Sequence, residues 1–200
     1  MIRKAGAKNY KKYCQEILKI CKNKPISLEV FGDTNKTIKD QAFKINAWGK
    51  NVYVKIPVIN SKGIFSGKII KELNKKKIKL NITAVYSARQ TKKILNYIDK
   101  KTQVIISIFA GRSADCGNDP VPEFKKSLRL AKNYKNVQIL WASVREPYNY
   151  LQAKHLGCHI ITIPPKIIEK IENFGKSPDS LTKETVKIFL KDSLRSKFKI

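Results

Sequence analysis

The sequence is short of negative charge. Fifteen aspartates and glutamates stand against 42 lysines and arginines in 200 residues, a formal net charge of +27. Such an excess usually points to polyanion partners. Arginine, however, is scarce: Arg3, Arg89, Arg112, Arg129, Arg145 and Arg195 are the only six, and the other 36 cations are lysines spread over nearly every segment. Nucleic-acid surfaces favour clustered arginine with aromatic stacking platforms, so nucleic acid is not expected as a partner. Histidine is limited to His155 and His159, and the four cysteines, Cys14, Cys21, Cys116 and Cys158, include no C-x-x-C pair. That excludes the usual zinc patterns and argues against a disulfide framework. Cys14 and Cys21 lie on one face of an expected helix and read as buried small apolar residues.

No stretch approaches the roughly 20 continuous apolar residues of a membrane span. The polar, basic start Met1–Lys12 lacks the apolar centre of a secretory signal, which makes the cytoplasm the expected compartment. No Gly/Ser-rich linker divides the chain, so residues 1–200 are expected to form one domain. No G-x-G-x-x-G or G-x-x-x-x-G-K-[ST] follows an apolar run, which removes the best support for a nucleotide-binding doubly wound sheet.

What is present is alternation. Apolar runs at Ile26–Phe31, Val52–Val58, Leu80–Tyr86, Val104–Phe109, Val137–Ala142 and His159–Ile163 read as strands. Amphipathic stretches follow them at Lys36–Trp48, Ser66–Lys75, Ala88–Ile98, Val121–Tyr134, Pro147–Leu156 and Pro165–Asn173. A helix over Lys8–Lys22 precedes the first strand, and one over Leu181–Leu194 closes the chain. Strands that are apolar throughout and separated by helices predict parallel βαβ units buried on both faces. The predicted fold class is α/β, a TIM (β/α)8-type barrel. A closed barrel needs eight units and about 250 residues. Six are visible, so the expectation is an N-terminally truncated barrel.

In such a barrel the chemistry sits at the C-terminal ends of strands. Polar residues interrupt the runs near those ends. Glu29 stands in Ser-Leu-Glu-Val-Phe, Lys55 in Val-Tyr-Val-Lys-Ile-Pro, and Asn81 and Thr83 in Leu-Asn-Ile-Thr-Ala-Val-Tyr. Ser107, Phe109 and Arg112 follow in Ile-Ser-Ile-Phe-Ala-Gly-Arg, and Ser143 and Arg145 in Trp-Ala-Ser-Val-Arg. Alternation puts Lys55 on one face with Tyr53 and Pro57. A lysine amine in a poorly hydrated site can attack a carbonyl to form a Schiff base, whereas a lysine at a strand end can equally snorkel into solvent. Glu29, Asn81 and Thr83 could each be a satisfied structural group. Together with Lys55 they would supply an acid/base, an amide and a hydroxyl around one carbon centre. Two scarce arginines and a hydroxyl at strand exits suit a phosphate oxyanion.

At these residues the chain resembles the transaldolase family, and most of all its small single-barrel branch that includes fructose-6-phosphate aldolase. Four motifs match in order, and the resemblance runs from Met1 to about Leu194. It implies a class I aldol mechanism with no metal and no cofactor. Lys55 falls on the Schiff-base lysine. Glu29 and Thr83 match the pair that holds a catalytic water. Asn81 and Ser107 match residues around the bound dihydroxyacetone unit, with Phe109 against the site, and Arg112, Ser143 and Arg145 match the phosphate-binding group. The implied partners are sugar phosphates, a ketose donor and an aldose acceptor, in pentose phosphate-type carbohydrate metabolism. No membrane partner is implied. A homo-oligomer is expected, with Leu181–Leu194 available for contacts and Arg195–Ile200 read as a solvated tail.

The aldolase branch usually carries Gln where this chain has Glu29, and Tyr where it has Phe109. The resemblance therefore favours transfer to an acceptor over free release. The alternatives are a fructose-6-phosphate aldolase-like lyase and a non-catalytic truncated barrel. Family members open with an Asp-Thr strand and a Thr-Thr-Asn-Pro-Ser strand, and both would precede Met1.

Overall fold

Each apolar run becomes a strand that buries apolar residues on one face, and each intervening amphipathic stretch becomes a helix that covers that face. A computed structural model describes residues 6–198. The chain forms two compact units, Met1–Ile163 and Pro164–Ile200.

In the first unit the order is α1 (Tyr10–Cys21), β1 (Ile26–Glu29), α2 (Asn35–Asn46), β2 (Val52–Pro57), α3 (Gly67–Lys75), β3 (Leu80–Val85) and α4 (Ala88–Leu95). There follow β4 (Val104–Phe109), α5 (Ala110–Ala114), α6 (Val121–Ala131), β5 (Val137–Ala142), α7 (Tyr148–Leu156) and β6 (Ile160–Ile161). The second unit consists of α8 (Pro165–Ile171) and α9 (Pro178–Ser196), neither of which has a buried residue. Among the described residues, no helix is long and apolar enough to cross a membrane.

The six strands pair in sequence order, β1-β2-β3-β4-β5-β6, and every pair is parallel. A doubly wound sheet reverses its strand order at a switch point, and this one never does. Parallel connections are right-handed, so an unreversed order puts all the crossover helices on one face. Burial agrees. Val54, Ile56, Leu80, Ile82, Val104, Ile106, Ile139 and Trp141 are fully buried on the helix side. There the Phe124 ring of α6 stacks on Trp141 at 4.3 Å. The other face carries Ser27, Glu29, Tyr53, Lys55, Asn81, Thr83 and Ser107.

That second face is concave. Ser27 and Asn81 lie on strands separated by β2, about 9.6 Å apart along a flat sheet. Their side chains nevertheless meet, Asn81 Nδ2 donating to Ser27 Oγ at 2.8 Å. Tyr53, Ile105, Leu140 and Ala142 also gather into one cluster, with Phe109 and Ile160 against it, although they come from β2, β4, β5 and β6. A curled, singly wound parallel sheet with helices outside is the β/α-barrel design, here with six strands.

The expected elements shift at their ends for identifiable reasons. The first strand stops at Glu29, short of Phe31, because the Phe31 and Gly32 N–H groups donate to Gln41 Oε1 at 2.6 and 2.9 Å instead of to a neighbouring strand. The last strand contracts from His159–Ile163 to Ile160–Ile161. Helix α5 was not expected, since five residues carry no periodicity. Helix α9 continues to Ser196, so Arg195 is helical rather than part of a tail, while Lys199 and Ile200 lie outside the described residues. Cys14 is buried on α1 as expected, whereas Cys21, at the end of that helix, is only half-buried.

Candidate active site

The site is a row across the concave face. Parallel register sets Glu29 opposite Lys55, and Lys55 opposite Asn81. Register partners in a parallel sheet share a face, so a carboxylate, an ammonium and a carboxamide stand side by side at one level. Thr83 is one step higher on β3, opposite Pro57. Lys55 and Ser27 are half-buried and Glu29 is exposed, while Asn81, Thr83 and Ser107 are buried. Among the described residues no carboxylate forms an ion pair with the Lys55 ammonium.

Asn81 is the hub. Its Nδ2 donates to Ser27 Oγ, and its Oδ1 accepts from Ser107 Oγ at 2.7 Å. This chain holds the amide in place and still leaves one N–H and one lone pair of Asn81 for a ligand. Thr83 differs: its Oγ1 is buried with no hydrogen-bond partner among the described residues. A buried hydroxyl without a partner costs about 1–3 kcal/mol. It persists where the surrounding backbone fixes it. Ala84, immediately after, has φ +57, and the β3–β4 register shifts between Ile82 and Val85. A bulge of this kind re-aims the side chains beside it.

The strand exits of β4 and β5 are locked together. A methyl on Gly111 would collide with the Ser143 carbonyl oxygen, so only glycine lets α5 approach the end of β5. Ser143 itself is left-handed at φ +65. The Arg112 guanidinium lies 6.0 Å from the Phe109 ring centroid, and the ring of Tyr86, just past the end of β3, lies 5.8 Å from it. Arg145 is held by Asp115, through Nε to Oδ2 at 2.9 Å and Nη2 to Oδ2 at 2.6 Å. That carboxylate pushes the Arg145 pKa further up. A cavity of about 220 Å³ adjoins the pair on the helix side, lined in part by Trp141, Asn149 and Gln152.

The sequence-expected residues thus form two groups. Glu29, Lys55, Asn81, Thr83 and Ser107 share the concave face, with Phe109 in the apolar cluster above them. Arg112, Ser143 and Arg145 ring the exits of β4 and β5. Sequence reasoning overlooked Ser27, Tyr86 and Asp115. Ser27 was legible, being two residues before Glu29 and so on its face. Tyr86 and Asp115 were not, because a tertiary contact alone brings them in.

A singly wound parallel sheet with helices outside and a polar row on its concave face defines a β/α-barrel protein. The family model described as Transaldolase/Fructose-6-phosphate aldolase matches residues 4–199, and the chain belongs to that family. A relative named "Probable transaldolase" from Thermoplasma volcanium is 32% identical over 179 residues, covering 89% of this chain and 76% of that one. Similar proteins of the same name come from Herpetosiphon aurantiacus, 30% identical over 94% of this chain and 79% of the relative, and Nitrosopumilus maritimus, 32% over 92% and 78%.

Proposed function

We propose that the protein is a transaldolase, moving a dihydroxyacetone unit between sugar phosphates through a Schiff base on Lys55. The observation that carries this reading is the row Glu29–Lys55–Asn81 on the concave face. The Lys55 amine attacks the C2 ketone of fructose 6-phosphate, and loss of water leaves an iminium. The C3–C4 bond then breaks. Its electrons flow into the iminium as the C4 hydroxyl loses its proton, releasing glyceraldehyde 3-phosphate and leaving an enamine on Lys55. The enamine carbon attacks the aldehyde of erythrose 4-phosphate, whose oxygen takes a proton. Water then hydrolyses the new iminium to free sedoheptulose 7-phosphate and the amine.

Glu29 and Thr83 hold the water that carries these protons, and the partnerless Thr83 Oγ1 supports that role. Asn81 and Ser107 hydrogen-bond the hydroxyls of the dihydroxyacetone unit. Phe109 presents a ring with no hydroxyl to protonate the enamine, which favours transfer over release. Arg112, Ser143 and Arg145 bind the phosphate. The reaction belongs to pentose phosphate-type carbohydrate metabolism in the cytoplasm and needs no metal or cofactor. The protein acts as a homo-oligomer, a reading supported by the exposed Leu181, Val186, Phe189 and Leu190 of α9.

The test is product analysis with fructose 6-phosphate, with and without erythrose 4-phosphate. Sedoheptulose 7-phosphate formed only with acceptor supports transfer. Free dihydroxyacetone without acceptor would instead identify an aldolase-like lyase.

A further inference from the structure

We propose that Asp115 is the positioning residue of the phosphate site, holding the Arg145 guanidinium by one edge so that its other edge faces the substrate's phosphate. This rests on the reading of Arg145 as a phosphate ligand and names the residue that makes it one.

A guanidinium has five N–H donors. Arg145 Nε approaches both Asp115 oxygens, at 3.2 and 2.9 Å, and Nη2 donates to Oδ2 at 2.6 Å. Asp115 therefore takes the Nε–H and one Nη2–H. Both Nη1 hydrogens and the second Nη2 hydrogen remain, and they lie along the edge suited to a two-pronged phosphate contact. A carboxylate competing for the anion's place would occupy that end-on edge; Asp115 occupies the side.

Asp115 is itself well placed to act as a fixture. It directly follows α5, and its N–H donates to Gly111 O at 2.8 Å. Gly111 packs against Ser143, two residues before Arg145. The Arg145 backbone is pinned too, its N–H donating to Asn149 Oδ1 at 2.9 Å. One five-residue helix thus delivers Arg112 and fixes Arg145. An unheld arginine samples many rotamers, and that freedom is lost on binding. Asp115 and Arg145 are each 48% exposed, so solvent screens the repulsion between Asp115 and a bound phosphate.

The two roles predict opposite signs. Removing a carboxylate beside an anion site strengthens anion binding if charge decides, and weakens it if orientation decides. Inorganic phosphate is titrated calorimetrically into the full chain and its Asp115→Ala, Asp115→Asn and Arg145→Ala variants at about 0.15 M salt. The expected result is binding weakened about threefold by Asp115→Ala, the scale of a half-exposed ion pair. Asp115→Asn, which keeps an acceptor for Nε–H, loses less, and Arg145→Ala loses most. Equal or tighter binding in Asp115→Ala, or no phosphate binding by the unaltered chain, overturns the proposal. A second readout excludes a merely structural effect: the ratio of Lys55 adduct trapped from fructose 6-phosphate to that trapped from unphosphorylated dihydroxyacetone falls about threefold in Asp115→Ala. An unchanged ratio also overturns it. Failure of the Schiff-base reading would look different, as the unaltered chain would bind phosphate yet trap neither ketone.

Discussion

Asn81 shows how much one side chain organises. It joins Ser27 on β1 to Ser107 on β4, across strands that a flat sheet would keep apart. Replacing it with alanine leaves two hydroxyls on the concave face without their partner, and each such loss costs about 1–3 kcal/mol when the group is buried. Asn81→Ala is therefore expected to lower the urea midpoint by an amount equivalent to about 2 kcal/mol. Its kcat is expected to fall by more than tenfold if the same amide binds substrate as proposed. Full activity in a destabilised variant would show that the hydrogen-bond chain is structural only. At this scale the sequence was informative: Glu29, Lys55, Asn81 and Thr83 all announced themselves as polar residues in apolar strands. Asp115 did not, because it lies in a polar loop segment, Ser-Ala-Asp-Cys-Gly-Asn-Asp, where one carboxylate looks like another. Only the contact with Arg145 distinguishes it.

Elements carry two further predictions. The junction of α5 with the end of β5 depends on Gly111, because a side chain there meets backbone that cannot yield. Gly111→Ala should cost about 1–3 kcal/mol, the scale of overpacking. It should also raise KM for phosphorylated substrate by displacing Arg112 and Arg145 together. A KM unchanged alongside a normal melting temperature would contradict this. At the open edge of β1, the Tyr10 hydroxyl of α1 bonds both the N–H and the C=O of Glu29, each at 3.0 Å. It occupies hydrogen-bonding groups that an edge strand would otherwise offer to another chain. The burial that accompanies this position pushes the Tyr10 hydroxyl pKa well up. Tyr10→Phe is expected to lose about 1 kcal/mol and to aggregate faster in light scattering. The apolar runs located β4 and β5 to the residue, since each is apolar at all but one position. They overran β1, where the Phe31 and Gly32 N–H groups turn to Gln41, and they overran β6, which is only two residues long.

The whole molecule is defined by its charge. At +27 the folded chain repels itself, and salt relieves that repulsion. Raising sodium chloride from about 10 mM to about 200 mM shortens the Debye length from roughly 30 Å to under 10 Å. The melting temperature should rise by several degrees over that range, and a fall would show that specific ion pairs outweigh net repulsion. The strand order was legible from the sequence as far as its parallel, alternating character. Its curl was expected too, from the barrel reading, but the contact by which Asn81 reaches over β2 to Ser27 was not, since no residue pattern states it. The division at Pro164 was equally silent, as the helices that follow it repeat the amphipathic style of those before.

Covalent chemistry at Lys55 is read out by trapping the Schiff base. The purified chain is incubated with fructose 6-phosphate, reduced with borohydride and mapped by mass spectrometry. The account predicts one dihydroxyacetone- or hexose phosphate-derived adduct, on the peptide containing Lys55, that is lost in Lys55→Met. No adduct, or adducts scattered over the many surface lysines and unaffected by Lys55→Met, would contradict it.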